Sequence, residues 1–397
     1  MPMQKGNSWI VACRVVTAIV SSFIFLEGGI FIKLSTSYLL PGMILERPLY
    51  GQSGELLLRK GSVLTAQSIM AMRRAGVLAV RVTSSFETER GDELNEVIQL
   101  NALKAVKEWN KSFDKKIFAT LLKTIEDIID EILSGKVVIG SLSEICLADT
   151  YTYTHSIDVA ILAIAIGVKM GFHRKKLICL GVGSILHDLG KTKIPNEILN
   201  KPGKLTPDEF SIIQKHPVYG YETIKEHDIN RISAEIVLNH HERYNGSGYP
   251  NGLHSNEINE LAYICAIADV YSAMTADRVY RKALPPHEAY EMIMVSGEIN
   301  FTPVTVEAFL KCIVPYPVGS IVYLSNGHIA QIYRQNPGLV FRPVVKLLST
   351  GEEINLGIEN NIVIKGLVPQ ENIRQFAMEG GAANVSLSTA CKPAGNS

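Results

Sequence analysis

The residues with the clearest capacity for chemistry are five histidines and two aspartates between positions 155 and 269. They are His155, His187, Asp188, His216, His240, His241 and Asp269. One histidine on an apolar helix face is commonly a hydrogen-bonded core residue. Burying all seven groups without a cation, however, would leave charges and polar atoms unpaired at a large free-energy cost. Together the seven residues predict a metal site.

The donor types restrict the choice of metal. Imidazole and carboxylate donors, with no cysteine at ligand spacing, favour iron, manganese or zinc over a structural zinc bound by thiolates. Seven donors are too many for one tetrahedral ion, so two ions are the natural number, and Asp188, directly after His187, is placed to bridge them. Two metal ions about 3.5–4 Å apart suit phosphate ester hydrolysis, because they polarise the phosphoryl oxygens and lower the pKa of a shared water.

Helical segments must hold these donors, because helical periodicity turns each donor toward the same interior as its apolar neighbours. The segments are 152–170 with His155, 177–191 with His187 and Asp188, 232–241 with His240 and His241, and 261–272 with Asp269. The helix that carries His216 is predicted to begin at a capping box formed by Thr206 and Glu209.

Seven stretches of the chain are similar to the motifs of one known family. They are D-T-Y-T-Y-T-H-S (149–156), H-D-L-G-K (187–191), I-P (194–195), K-P-G-K-L-T (201–206), H-P (216–217), H-H-E-R-Y-N-G-S-G-Y-P (240–250) and A-D-V-Y (268–271). In this order and spacing they resemble the HD-GYP family, which are bacterial metal-dependent phosphodiesterases that linearise cyclic di-GMP. The resemblance covers residues 149–309 continuously.

The resemblance implies roles for individual residues. It assigns metal ligation to the seven histidines and aspartates, and it makes Asp188 and Lys191 the expected catalytic residues. Lys191 matches the family lysine that contacts the scissile phosphate, and Arg278 and Arg281 match positions that hold the phosphates of the dinucleotide. We therefore expect two divalent metal ions, iron or manganese, and cyclic di-GMP as the substrate.

The chain also departs from the family pattern. Tyr151 stands where some members have a glutamate that supports a third metal. Ser272 replaces an aspartate three residues after the last metal ligand, and Asn245, Val279 and Thr302 are further substitutions. None removes a metal ligand. Ser272 is the substitution expected to weaken catalysis, because loss of a carboxylate that orients a ligand often costs roughly 10–100-fold.

The loop after His240 and His241 contains Gly246, Gly248, Tyr249 and Pro250. Its glycines permit a close approach of the backbone, so the loop is predicted to form a lip of the pocket, with a plain turn as the alternative. In the family this loop is implicated in docking partner domains, which implies a diguanylate cyclase (GGDEF) domain as a partner. A homodimer is left open.

Composition and periodicity divide the 397 residues into six segments. They are an apolar leader (1–33) that an upstream start site would explain, a small module (34–91), connecting amphipathic helices (92–148), the HD-GYP catalytic domain (149–314), a β appendage (315–368) and a disordered tail (369–397). A helix is predicted between Thr65 and Gly76, and a hairpin around Asn326 and Gly327. The expected fold class is mostly α: an all-helical HD-type catalytic bundle, a small α+β N-terminal module and a small β C-terminal appendage.

Charge and cysteine content bear on partners and location. The 39 basic and 39 acidic residues balance, so no global field attracts a nucleic acid polymer. Six scattered cysteines fit free thiols in a reducing cytoplasm. Within residues 8–32, the uncharged run 15–26 is shorter than the roughly 20 residues that cross a bilayer. An upstream start site, a membrane-associating segment and secretion remain alternative explanations of this leader.

Two kinds of function are consistent with the sequence. The first is a phosphodiesterase in which a hydroxide that bridges the metals attacks phosphorus, giving linear pGpG and, with a second cut, GMP. A related cyclic dinucleotide is an alternative substrate. The second is a weakly active or inactive HD-GYP scaffold that binds partner domains. The complete ligand set and Lys191 favour the enzyme, whereas Ser272 and Tyr151 favour the scaffold.

Overall fold

The computed structural model describes residues 31–36, 39, 41–51, 55–77, 79–83, 96–134, 151–227, 229–276 and 283–368. These residues belong to two compact units, one spanning Gly91–Pro315 and the other combining Met1–Arg90 with Tyr316–Ser397. The predicted fold class is confirmed, because the described part of the first unit is helical and that of the second contains small sheets and a short helix. The six segment boundaries stay a prediction, although the N-terminal module and the β appendage fall in one unit.

Some predicted features lie outside the described ranges. They are the apolar leader up to residue 30, the C-terminal tail, and the two arginines Arg278 and Arg281. Among the described helices, none combines the length and the apolar character needed to cross a membrane.

The N-terminal module is built around the predicted helix, α1 (Ala66–Arg74). The side chain of Thr65 accepts a hydrogen bond from the backbone N–H of Ser68, and Gly76 follows the helix with φ +72°. The strands are β1 (Phe31–Ser35), β2 (Ile44–Leu45), β3 (Leu49–Tyr50), β4 (Leu56–Leu58) and β5 (Ala79–Thr83). β5 pairs antiparallel with β1 and β2, and β3 pairs with β4.

The β appendage is an antiparallel sheet in the order β10-β6-β7-β8-β9. Its strands are β6 (Ile321–Leu324), β7 (Ile329–Arg334), β8 (Val344–Leu347), β9 (Glu353–Asn355) and β10 (Ile364–Leu367). The predicted hairpin is confirmed: β6 and β7 pair with Val322 opposite Ala330, and Gly327 in the turn has φ +85°. Val322, Ala330, Ile332 and Val345 are fully buried, so the sheet has its own apolar core.

The helices of the other unit follow one another along the chain. They are α2 (Glu96–Ser112), α3 (Lys115–Leu133), α4 (Tyr151–Lys169), α5 (Arg174–Ile185), α6 (Asn196–Leu199), α7 (Pro207–Ile213), α8 (His216–Glu226), α9 (Arg231–Asn239), α10 (Glu260–Thr275), α11 (Pro286–Val295) and α12 (Pro303–Cys312). Short 3₁₀ helices occupy Leu189–Lys193 and Ser255–Glu257.

The connecting helices α2 and α3 pack against the helices that follow them. Trp109 of α2 and Ile125 of α3 share one buried cluster with Ile161 and Ile164 of α4 and Leu177 of α5. Apolar residues at helical spacing on α2 and α3 therefore serve the core, as their periodicity predicts. The helices that carry the metal-ligand candidates are supported by these two helices.

The prediction for the helix that carries His216 is wrong in one respect. The capping box of Thr206 and Glu209 is present, but the helix that it begins, α7, ends at Ile213. His216 instead begins the next helix, α8, with Pro217 in its first turn. Proline is tolerated in a first turn and breaks a helix interior, so Pro217 separates the two helices. His216 therefore lies at a helix N-terminus.

A glycine allows the 3₁₀ helix Leu189–Lys193 to lie directly on α8. A Cβ atom on Gly190 would overlap the carbonyl oxygen of His216 and lie 2.5 Å from the backbone nitrogen of Gly220. A Cβ on Gly220 would in turn lie 2.8 Å from Val237 of α9. The close approach of these three elements brings Asp188, His216 and His240 into one region of the fold.

We expect Gly190→Ala to lower the free energy of unfolding by about 1–3 kcal/mol or more, because the added methyl group forces two backbones apart. Chemical denaturation of chelator-treated protein would measure this packing effect apart from any metal. Gly297→Ala is the matched control, since its Cβ would have Val306 Cγ2 as nearest neighbour at an ordinary 3.9 Å. Equal stability of the two variants would show that the close approach at Gly190 is not required.

Candidate metal centre

The seven predicted ligands come from the ends and interiors of different helices. His155 lies within α4 and Asp269 within α10, whereas His216 begins α8 and His240 caps the C-terminus of α9. The periodicity predicted one continuous helix through His187 and Asp188, and this prediction is wrong. α5 ends at Ile185 and a 3₁₀ helix begins at Leu189, where Gly190 packs on the backbone of α8.

The structure brings these residues together in two overlapping groups. In the first, Asp188, His216, His240 and His241 each offer a ligand atom, and these atoms lie within 4.8 Å of one another. In the second, His155, His187 and Asp188 do the same. Asp188 belongs to both groups, which is the arrangement expected of a carboxylate that two metal ions share.

The two oxygens of Asp188 face different partners. Oδ1 lies 3.3 Å from His216 Nε2 and 3.9 Å from His240 Nε2. Oδ2 lies 3.3 Å from His187 Nε2 and 2.6 Å from the ammonium of Lys191. One carboxylate therefore connects the histidines of both groups to the predicted catalytic lysine.

Asp269 completes the second group. Its Oδ1 lies 3.0 Å from His155 Nε2 and 3.9 Å from His187 Nε2. It is buried together with His155, His187 and Asp188. All seven side chains thus converge on one buried region, although the ligand roles themselves remain a prediction.

Hydrogen bonds to backbone carbonyls orient three of the histidines. The Nδ1 atom of His187 lies 2.7 Å from the carbonyl oxygen of Ser184. The Nδ1 atom of His216 lies 2.8 Å from the carbonyl oxygen of Ile213, and that of His240 lies 2.8 Å from the carbonyl oxygen of Val237. A carbonyl oxygen only accepts, so each Nδ1 carries the hydrogen and donates it. In the neutral ring Nε2 then has a lone pair, and in each case Nε2 faces the cluster.

These orientations fit a bound cation. Nε2 of His216 and Nε2 of His240 lie 3.3 Å apart, so two neutral rings would direct lone pairs at each other unless a cation or a proton lay against both. Nε2 of His187 and Oδ1 of Asp188 are buried and accept no hydrogen bond. Buried polar atoms are rarely left unsatisfied, and a divalent ion would satisfy these. The His and Asp cluster can therefore bind metal.

Both carboxylates are ionised at neutral pH. Burial alone would raise the pKa of Asp188, but Lys191 and His187 hold this pKa well below its usual range. Burial opposes ionisation of Asp269 too, yet the hydrogen bond from His155 and the neighbouring rings hold its pKa well below the usual range. The cluster therefore offers two negative charges, which a metal site requires.

The imidazoles divide into two classes. Burial lowers the pKa of His240 well below its usual range and that of His241 to about 3, so both rings are neutral. Burial also acts to lower the pKa of His187, but the charge of Asp188 outweighs it and raises this pKa. Neutral imidazole is the form that ligates metals, and His240 and His241 already hold it.

The loop after the histidine pair lies against the cluster, in agreement with the prediction of a lip. The ring of Tyr249 stacks on that of His241, with centroids 4.6 Å apart and planes 27° apart. A Cβ on Gly248 would overlap the backbone of Glu242, so only glycine fits there.

Two residues of the H-H-E-R stretch have roles that sequence reasoning missed. The fully buried carboxylate of Glu242 accepts hydrogen bonds from the backbone N–H groups of Asn251 (2.7 Å) and Leu253 (3.0 Å) and so holds the loop. Arg243 donates through Nη1 to the carbonyl oxygens of Glu242 (3.0 Å) and His240 (3.4 Å) at the end of α9. In the sequence, the only indication of these roles was that Glu242 and Arg243 directly follow the candidate ligands His240 and His241.

Ser272 has a specific contact. Its hydroxyl oxygen lies 3.0 Å from His155 Nδ1, and both side chains are buried. The sequence marked this position only as one that lacks an aspartate. In the structure the serine takes the place next to His155 from which an outer carboxylate would orient the ring.

Known proteins resemble this chain over the same region. Residues 141–298 match the family model described as HD domain. A cyclic di-GMP phosphodiesterase of Pseudomonas aeruginosa is 35% identical over 226 residues, which are 56% of this chain and 54% of that protein. One from Thermotoga maritima is 38% identical over 208 residues, or 51% of this chain and 55% of that protein. A 3'3'-cGAMP-specific phosphodiesterase of Vibrio cholerae is 41% identical over 130 residues, or 32% of this chain and 25% of that protein.

These comparisons locate the similarity in residues 141–298, which resemble the HD domain family. The resemblance stated from the motifs is confirmed, since relatives that align with this region are named cyclic di-GMP phosphodiesterases. The chain spans about half the length of the first two relatives.

The lowered pKa of His241 predicts a pH dependence of stability. The folded value is about 3, whereas the ordinary value is 6.5, so between these pH values the unfolded chain binds one proton more than the folded chain at this site. The contribution of this group to the free energy of unfolding is fully present above pH 6.5. It falls by about 1.4 kcal/mol per pH unit as the pH decreases from 6.5 toward the folded pKa of about 3. We expect His241→Gln, in chelator-treated protein, to flatten the slope of unfolding free energy against pH between 6 and 4 by up to this amount.

The exposed His328 provides the control. His328→Gln should leave the slope as in the unmodified chain, because this side chain is exposed and lies outside the cluster. An unchanged slope in His241→Gln would contradict the assignment of that ring as neutral.

Proposed function

We propose that this protein is a metal-dependent phosphodiesterase that hydrolyses cyclic di-GMP to linear pGpG, with GMP as a further product if both phosphodiester bonds are cut. The observation that carries the proposal is the carboxylate of Asp188, whose two oxygens face two groups of histidine nitrogens. A second support is the similarity to relatives named cyclic di-GMP phosphodiesterases.

We propose two divalent ions, iron or manganese, held by the seven histidines and aspartates. The cluster supplies nitrogen and oxygen donors, as these ions prefer. Cys265 lies one turn before Asp269 in α10, where burial raises the pKa of its thiol, and it belongs to neither group of candidate ligand atoms. When bound, the ions would polarise the phosphoryl oxygens and activate a water molecule. His187, His216 and His240 would hold them through Nε2, because their Nδ1 atoms are engaged by carbonyl oxygens.

Lys191 is proposed to bind the scissile phosphate. Its ammonium is held 2.6 Å from Asp188 Oδ2 and remains partly exposed, so it borders the cluster and faces solvent. A fixed positive charge at this point stabilises the negative charge that develops on phosphate oxygens during the attack. Arg278 and Arg281 are proposed, from the motif resemblance, to hold the phosphates as well.

Partners and location follow from the same proposal. A diguanylate cyclase domain is a proposed partner for the loop of Gly246, Gly248, Tyr249 and Pro250, and a homodimer is a further proposal. We propose a cytoplasmic location because the substrate is a bacterial second messenger. The described cysteines Cys179, Cys265 and Cys312 are free thiols, which fits a reducing compartment.

The direct test is anaerobic purification of the full chain, metal analysis, and chromatography of the products formed from cyclic di-GMP. We expect about two iron or manganese ions per chain and conversion to pGpG, and Asp188→Ala should abolish both hydrolysis and stoichiometric binding because it removes the shared ligand. Asp208→Asn, at an exposed position on α7, is the matched control that should keep both. Metal binding without turnover would identify a scaffold, and preferred cleavage of 3'3'-cGAMP would identify a different substrate.

Lys191→Gln should lower kcat for cyclic di-GMP by roughly 100–1000-fold, because it removes a charge aimed at the transition state. Metal content should stay the same, since a lysine ammonium is not a ligand. Lys193→Gln, two residues away and exposed, controls for loss of surface charge. Comparable rates in the two variants would exclude Lys191 from the reaction.

A further inference from the structure

A series of aromatic rings leads from the candidate metal centre to the surface. The ring of Tyr249 stacks on that of His241 and lies 6.4 Å, between centroids, from the ring of His216. Phe210 of α7 contacts the same tyrosine, with ring centroids 6.4 Å apart and planes at 80°. Two successive ring contacts therefore connect two candidate metal ligands to Phe210.

Phe210 is exposed to solvent. Its exposed fraction is 47%, and no other described phenylalanine, tyrosine or tryptophan between Gly91 and Pro315 belongs to the exposed class. Single exposed apolar side chains are common in proteins, so exposure alone gives this residue no role. The contact with Tyr249 is what distinguishes it, because it places an accessible phenyl ring beside the candidate metal centre.

Helix α7 holds Phe210 in a defined position relative to the cluster. The capping box fixes the start of the helix, and the carboxylate of Glu209 also lies 2.7 Å from the ammonium of Lys201. At the other end of α7, the carbonyl oxygen of Ile213 accepts the hydrogen bond that orients His216. The same short helix thus presents Phe210 and orients a candidate ligand, so the ring is preorganised for a molecule that reaches the cluster.

The contact with Tyr249 leaves a face of the phenyl ring available. Two rings whose planes are 80° apart cannot cover each other face to face, so Tyr249 covers at most one face of Phe210. A molecule that suits both places must combine a flat aromatic group with a negatively charged group that metal ions bind. A nucleotide has these two groups, and its base can stack on an aromatic side chain.

We propose that Phe210 is a substrate-binding residue on which one base of the cyclic dinucleotide stacks while a phosphate of the dinucleotide lies at the cluster. This inference rests on the proposed function and deepens it by assigning a contact to a base. A phenyl ring has no hydrogen-bonding group, so it contacts the face of any base and reads none of their edges. Phe210 therefore provides affinity for cyclic dinucleotides and does not choose between guanine and adenine.

Steady-state kinetics of the metal-loaded full chain tests the stacking. Phe210→Ala should raise KM for cyclic di-GMP by about 5–100-fold and leave kcat within about threefold, because the stack is lost from the bound substrate and the transition state alike. Metal content should not change. Phe210→Leu, which keeps apolar bulk without a ring, should behave as Phe210→Ala does, whereas Phe210→Trp should keep the low KM. Leu199→Ala, at an exposed apolar position on α6, is the control that should change neither constant.

A second cyclic dinucleotide tests whether Phe210 contacts only the face of the base. In Phe210→Ala, KM for 3'3'-cGAMP should rise by the same factor as KM for cyclic di-GMP, within about threefold. An increase confined to one of the two substrates would show that this residue selects a base and would overturn the inference.

Stopped-flow fluorescence of Phe210→Trp observes the contact directly. Mixing this variant with cyclic di-GMP should quench the emission of the introduced indole before hydrolysis is complete. The unmodified chain, which has only Trp9 and the buried Trp109, provides the background. A signal equal to that background would contradict stacking at this position.

The outcomes separate the inference from the proposed function. If the unmodified chain hydrolyses cyclic di-GMP and Phe210→Ala keeps its KM, the inference fails and the function stands. A lower kcat or metal content at unchanged KM would show that Phe210 only supports Tyr249 or α7, and this result would also overturn the inference. If the unmodified chain neither binds nor hydrolyses a cyclic dinucleotide, the proposed function fails and the inference fails with it.

Discussion

The burial of the Asp188 carboxylate is the constraint on which the rest of the helical unit depends. A buried negative charge is tolerated only where positive charge, hydrogen bonds or a metal compensates it, and Asp188 has Lys191 on one oxygen and histidine nitrogens around both. Meeting that requirement explains why α5 stops at Ile185 and why Gly190 lies on the backbone of α8. Close backbone contact at Gly190 therefore accompanies the approach of candidate ligands from separate helices.

Much of this arrangement was predictable from sequence, and the exceptions share a cause. Helical periodicity placed His155 and Asp269 correctly within helices, whose apolar faces point to the core. The same reasoning placed His216 within the helix begun by Thr206, whereas Pro217 starts a new helix there. Local patterns specify which face a residue occupies, but the points at which helices end depend on tertiary packing. The bond between Ser272 and His155 joins residues 117 positions apart, so no local pattern could reveal it.

The stretch from His240 to Leu253 combines two tasks in one continuous segment. Its first residues present imidazoles to the cluster, and Glu242, which follows them, uses a buried carboxylate to hold the backbone of the same loop. Tyr249 then returns to stack on His241. Because the loop and the ligands are adjacent in sequence and joined by these contacts, displacement of the loop is expected to disturb His241 directly. A partner bound at this loop would therefore have a short physical route to the candidate metal centre.

Under the proposed function, the charge of the cluster requires metal to bind before the anionic substrate. Asp188 and Asp269 are ionised, Lys191 contributes a single positive charge, and His240 and His241 are neutral. Even with His187 protonated, these groups carry no surplus positive charge with which to attract a cyclic dinucleotide that has two phosphates. Two divalent ions bound here would reverse the sign. Under the proposed function, attraction between the cluster and its anionic substrate would therefore depend on metal occupancy.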